Sequence, residues 1–104
     1  MRIREIRPEE KSRFNKAVDH PLQSWEWGEF RTETGVAVER IGFFRNGRME
    51  NGMQVTFHPL PEAVPGNYTI GYFPKGTMPD EEQLSALRQI GKKHNAIFIK
   101  MEPN

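Results

Sequence analysis

The 104-residue chain contains no cysteine. Disulfide bonds, thiol catalysis and thiolate metal ligands are therefore excluded. Its three histidines, His20, His58 and His94, are far apart in the sequence and lack the spacing that is typical of metal ligands. We therefore expect neither a metal site nor chemistry that depends on a reactive thiol.

The sequence also lacks a long apolar run and a large excess of one charge. No segment approaches the roughly 20 apolar residues that a membrane-spanning helix needs. The N-terminal sequence MRIREIRPEEK is too charged for the apolar segment of a signal peptide. Fifteen basic and fourteen acidic residues leave a net charge of +1, which argues against strong electrostatic binding to nucleic acid. We expect a cytoplasmic protein with one domain over residues 1–104.

Helix and turn signals define most of the predicted elements. Pro8 and the two acidic residues after it are typical of a first helical turn, and Ser24 is suited to cap a second helix. Asn46-Gly47 predicts a two-residue hairpin turn, because both central residues of that turn need positive φ angles. A turn at Asn51-Gly52 instead would shift the register by a few residues. Asp80 is expected to cap the last helix.

The last strand, in AIFIKMEP, is rich in β-branched and aromatic residues, so we expect it to be buried. A helix separates it from the strand in NYTIGYFP, and such a connection usually joins parallel strands. The predicted fold is an α/β domain with a mixed sheet and flanking helices, in the order β-α-α-β-β-β-α-β. This order resembles the first part of the acetyltransferase-like (GNAT) topology, a half-domain.

Three aromatic residues lie close together in HPLQSWEWGEFRTETG, which spans residues 20–35. At these spacings Trp27 and Phe30 share one face of a helix, whereas Trp25 points elsewhere. We expect Trp27 and Phe30 to pack on the sheet. Trp25 is then either a core residue or part of the lining of a substrate cleft.

Four sequence pieces occur in an order that is found in a known family. They are LQSWEWGEFRTETG after the first helix, the Asn-Gly hairpin, GYFPKGTMPD before the last helix and FIKMEPN after it. The set resembles the FemABX family, whose pattern is Q-S-x-x-W-G-x-F-(K/R), then Y-x-P-(R/K)-G-P, then (I/M)-(D/E)-P. The resemblance runs from Leu22 to Asn104 and departs at Thr77-Met78, where the family has Pro followed by an aliphatic residue.

The resemblance implies an aminoacyl-tRNA-dependent transferase that builds the interpeptide bridges of peptidoglycan. The implied partners are a nucleotide- or lipid-linked muropeptide and, through the full-length protein, aminoacyl-tRNA. The implied reaction is acyl transfer, with no metal and no bound organic cofactor. Family members are several hundred residues long and have two acetyltransferase-like halves. We therefore expect an N-terminal fragment that is inactive alone, with a stand-alone relative as the alternative.

The resemblance also implies roles for individual residues. Arg31 occupies the basic position whose side chain contacts the diphosphate of the precursor, although it could equally belong to a solvated helix face. Lys75 and Gly76 form a Pro-Lys-Gly turn whose backbone amides can approach an anion, with a plain surface turn as the alternative. Glu102 matches the acidic position that ends the last strand. It could accept a proton from the attacking amine, position substrate or face water.

Two other functions compete with this interpretation. An acyl-CoA acetyltransferase would need a pyrophosphate loop at the start of a helix. The nearest match, residues 88–93, lies at a helix end, where the dipole repels phosphate. The second alternative is a non-enzymatic binding or dimerisation module with a GNAT-like half-fold. It predicts a homodimer that forms through the exposed edge of the last strand.

Overall fold

The structure, a computed structural model, describes residues 2–18, 20–61, 64–76 and 78–102. Single turns of 3-10 helix precede the first two α-helices, at Pro8–Glu10 and Pro21–Gln23. The strands and α-helices, in chain order, are β1 (Arg2–Glu5), α1 (Lys11–Ala17), α2 (Trp25–Glu33), β2 (Ala37–Arg45), β3 (Arg48–Pro59), β4 (Thr69–Pro74), α3 (Glu81–Lys93) and β5 (Ala96–Glu102). Thr77, Pro103 and Asn104, which belong to the predicted motifs, lie outside the described residues.

The five strands form one mixed sheet in the order β1-β2-β3-β4-β5. The first three pairings are antiparallel and β4 pairs with β5 in parallel, so the chain returns to the sheet through α3. The predicted α/β class, with a mixed sheet and flanking helices, is therefore confirmed. None of the helices in the described ranges is long and apolar enough to cross a membrane.

The hairpin between β2 and β3 turns at the predicted pair. Asn46 and Gly47 have φ angles of 53° and 75°, and the residues on either side of them, Arg45 and Arg48, pair across the ladder. Both positive angles belong to the turn that matches the twist of the strands. The second pair, Asn51-Gly52, lies within β3, where the register of the ladder shifts.

Two apolar clusters lie on opposite faces of the sheet. The main core lies between the sheet and α3, and the smaller one lies beneath α1 and α2. Its buried members are Ile6, Phe14, Trp25 and Phe44. The main core contains Ile41, Phe43, Met53, Val55, Phe57, Phe73, Ala86, Leu87 and Ile90. Both faces of the sheet are thus occupied, although the helices on the second face cover only part of it.

The aromatic cluster of α2 packs differently from the prediction. Trp25 is only 7% exposed and meets Phe14 edge to face, with 6.3 Å between the ring centroids. Phe30 is 51% exposed, so its predicted core position is wrong; Trp27 is half-buried and lies beside it. The reason is Gly28, where an added Cβ would lie 2.2 Å from the side-chain oxygen of Gln54. The helix approaches the sheet along its glycine face, which turns Phe30 away.

The prediction that the last strand is buried is also wrong. β5 is an edge strand, and Ile97, Phe98 and Met101 are exposed. Ile99 alone among the strand's large apolar side chains packs against the main core, together with Ala96 at the strand's start. Apolar composition predicts burial but does not reveal which strand lies at the edge of a sheet.

Candidate functional site

The carboxyl ends of β4 and β5 bring three of the predicted site residues together. Pro74 at the end of β4 pairs with Glu102 at the end of β5, and the Lys75-Gly76 turn follows directly. The backbone N–H of Lys75 donates to the carbonyl oxygen of Glu102 at 2.6 Å. In open α/β sheets the carboxyl ends of strands are the usual place for functional groups. Lys75, Gly76 and Glu102 therefore form one local group.

The turn after β4 has a constrained backbone. Lys75 has a φ angle of +54°, in the left-handed region that residues other than glycine adopt only rarely. Gly76 is buried, and a Cβ there would lie 2.3 Å from the ring of Phe73. Only glycine therefore fits between the turn and Phe73. The strained Lys75 backbone is of the kind that often occurs in binding loops.

The side chains around Glu102 fix its charge. A hydrogen bond from the Tyr72 side chain lowers the pKa of the Glu102 carboxyl, and the positive charges of Lys100 and Lys75 act in the same direction. Burial, and then the Glu102 hydrogen bond, raise the pKa of Tyr72. The Lys100 ammonium lies 3.6 Å from the carboxylate. At neutral pH this group therefore presents a carboxylate beside a protonated phenol.

Gln23, which sequence reasoning did not select, holds the end of β4 in place. The β3–β4 ladder ends at Thr56 and Tyr72. Beyond it, the Gln23 side-chain amide donates to the carbonyl oxygens of Pro74 at 2.6 Å and Gln54 at 3.0 Å, and accepts from the Gln54 N–H at 2.8 Å. Because Pro74 has no N–H, it cannot continue the ladder itself. Gln23 thus replaces the missing strand pairing.

A buried polar network ties the start of α2 to the sheet. The Gln54 side chain donates to the carbonyl oxygen of Ser24 at 2.7 Å and accepts from Arg40 Nε at 2.8 Å. Arg40 also donates to the carbonyl oxygen of Trp25 at 3.0 Å and lies 3.7 Å from the centroid of its ring. Trp25, predicted to bind substrate, is thus enclosed between the core and Arg40. Its contact with substrate stays a prediction.

These contacts explain the first motif in physical terms. Its glutamine bonds to two strands, its serine caps α2 by accepting from the Trp27 N–H at 3.2 Å, and its glycine permits the close approach of the helix. The signal for Gln23 was present in the sequence, as the first letter of Q-S-x-x-W-G. What the sequence could not show is the pair of strands that it bridges.

Arg31 lies in the last turn of α2, above β3. Its Nη2 atom is 3.4 Å from Nδ1 of His58, and the other ring nitrogen of His58 is 2.8 Å from the Thr56 hydroxyl. Burial, and then the charge of Arg31, lower the pKa of His58. His58 is therefore neutral at pH 7, so Arg31 does not face an opposing imidazolium.

Arg31 and the Lys75 group lie apart along the sheet. His58, the neighbour of Arg31, pairs with Ile70, four residues before Pro74 in β4. Four strand residues span about 13 Å. Thr56 and Tyr72 lie between these two positions. We call the surface that runs from Arg31 and His58 past Thr56 and Tyr72 to the Lys75 group the polar strip. The structure thus joins Lys75, Gly76 and Glu102 but leaves Arg31 and Trp25 outside that group.

Among the residues that the structure describes, no cluster of three or more histidine, aspartate or glutamate side chains has the geometry of a metal site. A separate apolar groove of about 510 Å³ lies between α3 and β5. Its lining includes Leu87, Ile97 and Met101. This groove is not part of the polar strip.

Comparisons with known proteins agree with the four-motif resemblance. No family model matches the chain. The lipid II:glycine glycyltransferase of Staphylococcus aureus is 31% identical over 90 residues, which cover 80% of this chain and 21% of that protein. The same protein from strain N315 of that species gives the same values.

A solved structure agrees as well. The crystal structure of FemX matches with a TM-score of 0.75 and 30% sequence identity, covering 99% of this chain and 27% of that chain. The chain therefore spans between a fifth and a third of the length of these relatives. The sequence match covers 80% of the chain and the structural match covers 99% of it, and on these grounds the chain belongs to the FemABX family.

Proposed function

We propose that the chain is the N-terminal part of an aminoacyl-tRNA-dependent transferase that adds an amino acid to a peptidoglycan precursor in cell-wall bridge formation. The relatives named as lipid II:glycine glycyltransferases support this class of reaction. The observation that carries the proposal is the joint position of Tyr72, Lys75 and Glu102 at the carboxyl ends of β4 and β5. The reaction would take place in the cytoplasm and require no metal or bound organic cofactor.

The proposed reaction is an acyl transfer to an amine. The amine nitrogen of the precursor attacks the ester carbonyl carbon of aminoacyl-tRNA and forms a tetrahedral oxyanion. The intermediate collapses to an amide as the C–O bond to the tRNA breaks. The proton that the amine loses is balanced by the one that the departing tRNA hydroxyl gains.

Glu102 is suited to bind and orient the attacking amine. Its pKa is lowered, so the group is a carboxylate that accepts hydrogen bonds from the N–H groups of an amine. The same lowering makes it a weaker proton acceptor than a base whose pKa lies near neutral pH. Tyr72 keeps its proton and donates its one hydrogen bond to Glu102, which helps to hold the carboxylate in place. The arrangement therefore favours positioning of the amine over strong general-base catalysis.

Arg31 and Lys75 are proposed to bind different parts of an extended precursor. The roughly 13 Å of strand between them exceeds the size of one diphosphate. One basic side chain then contacts the diphosphate and the other contacts the peptide or sugar portion. We also propose that the chain is one half of a GNAT-like domain, and that the rest of a complete cleft comes from further parts of a full-length protein.

Titration with a nucleotide-diphosphate sugar, monitored by NMR chemical shifts, tests whether the polar strip binds the precursor. Two charge-assisted contacts, after the cost of association, leave a Kd in the roughly millimolar range. We expect shifts at Arg31, Gly76 and Glu102 that Arg31→Ala weakens and added salt reduces. Arg88→Ala on α3 is the matched control and should change nothing. Shifts that are confined to residues 58–61 and 64–65, or binding that Arg31→Ala leaves intact, would contradict the assignment.

A second candidate function rests on the exposed edge of the sheet. β5 carries Ile97, Phe98 and Met101 on its surface and has no partner strand on its outer side within the described ranges. This edge favours a non-enzymatic binding module that forms a homodimer by strand pairing. The mass of the protein in solution distinguishes this candidate from the transferase fragment. A stable dimer that Phe98→Lys dissociates supports the binding module, whereas a monomer supports the transferase fragment.

A further inference from the structure

The molecule concentrates positive charge at one end, around the tip of the β2–β3 hairpin. Two shallow pockets of about 390 and 340 Å³ lie there and share Arg13 and Gly47 in their linings. Arg13 bridges to the tip by donating to the carbonyl oxygen of Gly47 at 2.9 Å. Six basic side chains line these pockets, which we call the cationic tip: Arg2, Arg4, Arg13, Lys16, Arg45 and Arg48.

Among the described residues, two acidic side chains form ion pairs with members of the cationic tip. Glu10 is buried and pairs with Arg4 at 2.6 Å, and Glu50 pairs with Arg45 at 3.3 Å. With these two acids counted, the cationic tip has an excess of four positive charges. The remainder of the sequence then holds nine basic and twelve acidic residues. The net charge of +1 therefore conceals a strong polarity, which orients a protein at an anionic surface.

The cationic tip and the proposed site point in the same direction. β3 runs antiparallel to β4, so its beginning and the carboxyl end of β4 face the same end of the sheet. Gln54 lies at the level of Pro74, where Gln23 links them. The six residue steps from Gln54 back to Arg48 extend the hairpin about 20 Å beyond that level. A surface that binds the tip would therefore lie about 20 Å from the Lys75 group.

We propose that the cationic tip docks on an anionic phospholipid surface. Arginine side chains bind phosphodiester groups through paired N–H donors, and each of the shallow pockets has room for a lipid headgroup. The choice of a lipid rests on the proposed function, because the relatives are named for lipid II. Docking would bring the transferase site close to an acceptor that lies in a membrane.

The lining of the tip favours lipid over RNA. Single-stranded nucleic acid binds where exposed aromatic rings can stack on its bases. Within the described lining, the aromatic residue is Phe44, which is 4% exposed and covered by Arg4 at 4.2 Å from the ring centroid. The described lining of the tip therefore presents guanidinium groups, which can contact phosphate, and no exposed ring for a base.

Vesicle cosedimentation of the whole chain tests this proposal. The probes are phosphatidylcholine vesicles and vesicles of an equal mixture of phosphatidylcholine and phosphatidylglycerol, both without lipid II. We expect binding to the anionic vesicles only, with loss at high salt. The double variant Arg2→Gln/Arg48→Gln should weaken binding about thirtyfold, at about fivefold for each charge removed. The control Arg88→Gln/Lys92→Gln removes the same charge from α3 and should change binding less than about twofold.

Each outcome is decisive. Equal weakening by both double variants would show non-specific attraction and overturn the proposal, as would the absence of binding to anionic vesicles. A short RNA hairpin serves as competitor: binding to RNA alone that depends on Arg2 and Arg48 would assign the tip to nucleic acid instead. Because the vesicles contain no acceptor, the result is independent of whether the chain takes part in acyl transfer. Circular dichroism confirms that each variant is folded.

Discussion

Replacing Gln23 by leucine should destabilise the protein strongly although the new side chain is similar in size. The amide of Gln23 is 1% exposed and makes three hydrogen bonds to backbone groups of Gln54 and Pro74. Leucine leaves the Gln54 N–H and two carbonyl oxygens without these partners. Each buried group that loses its partner costs about 1–3 kcal/mol. With each group counted near the lower limit, the free energy of unfolding should fall by about 3–5 kcal/mol.

Urea denaturation followed by circular dichroism measures this loss. Domains of this size have a total stability of about 5–15 kcal/mol, so Gln23→Leu should move the midpoint substantially. Gln89→Leu, on the exposed side of α3, is the matched control and should change stability by less than about 0.5 kcal/mol.

Amide hydrogen exchange gives a local measurement of the same change. The Lys75 N–H donates to Glu102 at 2.6 Å at the strand ends that Gln23 positions. It should therefore exchange faster in Gln23→Leu. A loss below about 1 kcal/mol with unchanged exchange at Lys75 would refute the view that Gln23 holds the end of β4.

Three further predictions follow from turn geometry, ion pairing and burial. Gly47→Val should lower the Tm, because valine at the φ of 75° costs about 1–2 kcal/mol; an unchanged Tm would contradict the observed turn. The Arg4 hydrogen bond lowers the pKa of Glu10 to about 2, so the stability from this pair is full above the usual value of 4.5 and is lost as pH falls towards 2. Glu10→Gln should flatten this acid-induced loss in pH-dependent melting, whereas a curve parallel to the wild type would exclude the pair as its cause. Trp25→Ala should destabilise by about 3–5 kcal/mol and Phe30→Ala by less than about 1 kcal/mol, and the reverse order in urea denaturation would contradict the packing of α2.

The features that could be predicted from the sequence depend on neighbouring residues. The Asn46-Gly47 turn needs two positive φ angles, which the pair itself favours. Asp80 caps α3 as predicted: its carboxylate accepts from the Gln83 N–H at 2.8 Å, and the Gln83 side chain accepts from the Asp80 N–H at 3.0 Å. In each of these two features, the groups involved lie within four residues of each other in the chain.

The features that were missed depend on residues far apart in the chain. Gln23 bridges positions 54 and 74, and nothing in its local sequence reveals those partners. The contact face of α2 is set by the close approach of Gly28 to Gln54, so spacing alone selected Phe30 incorrectly. The exposure of β5 follows from its place at the sheet edge, which its apolar composition does not show. The cationic tip likewise appears only when the hairpin meets β1 and α1.

The most direct test of the transferase assignment is to locate the amine-bearing side chain of a bound muropeptide. Intermolecular NOEs between the chain and a soluble, nucleotide-linked muropeptide would provide that location. The proposed site predicts NOEs from the methylene protons beside the amine to the Tyr72 ring and the Glu102 side chain. Glu102→Gln should weaken these contacts, and the control Glu81→Gln on α3 should leave them unchanged. NOEs only to Ile97 and Met101 in the α3–β5 groove would contradict the assignment of the site to the carboxyl ends of β4 and β5.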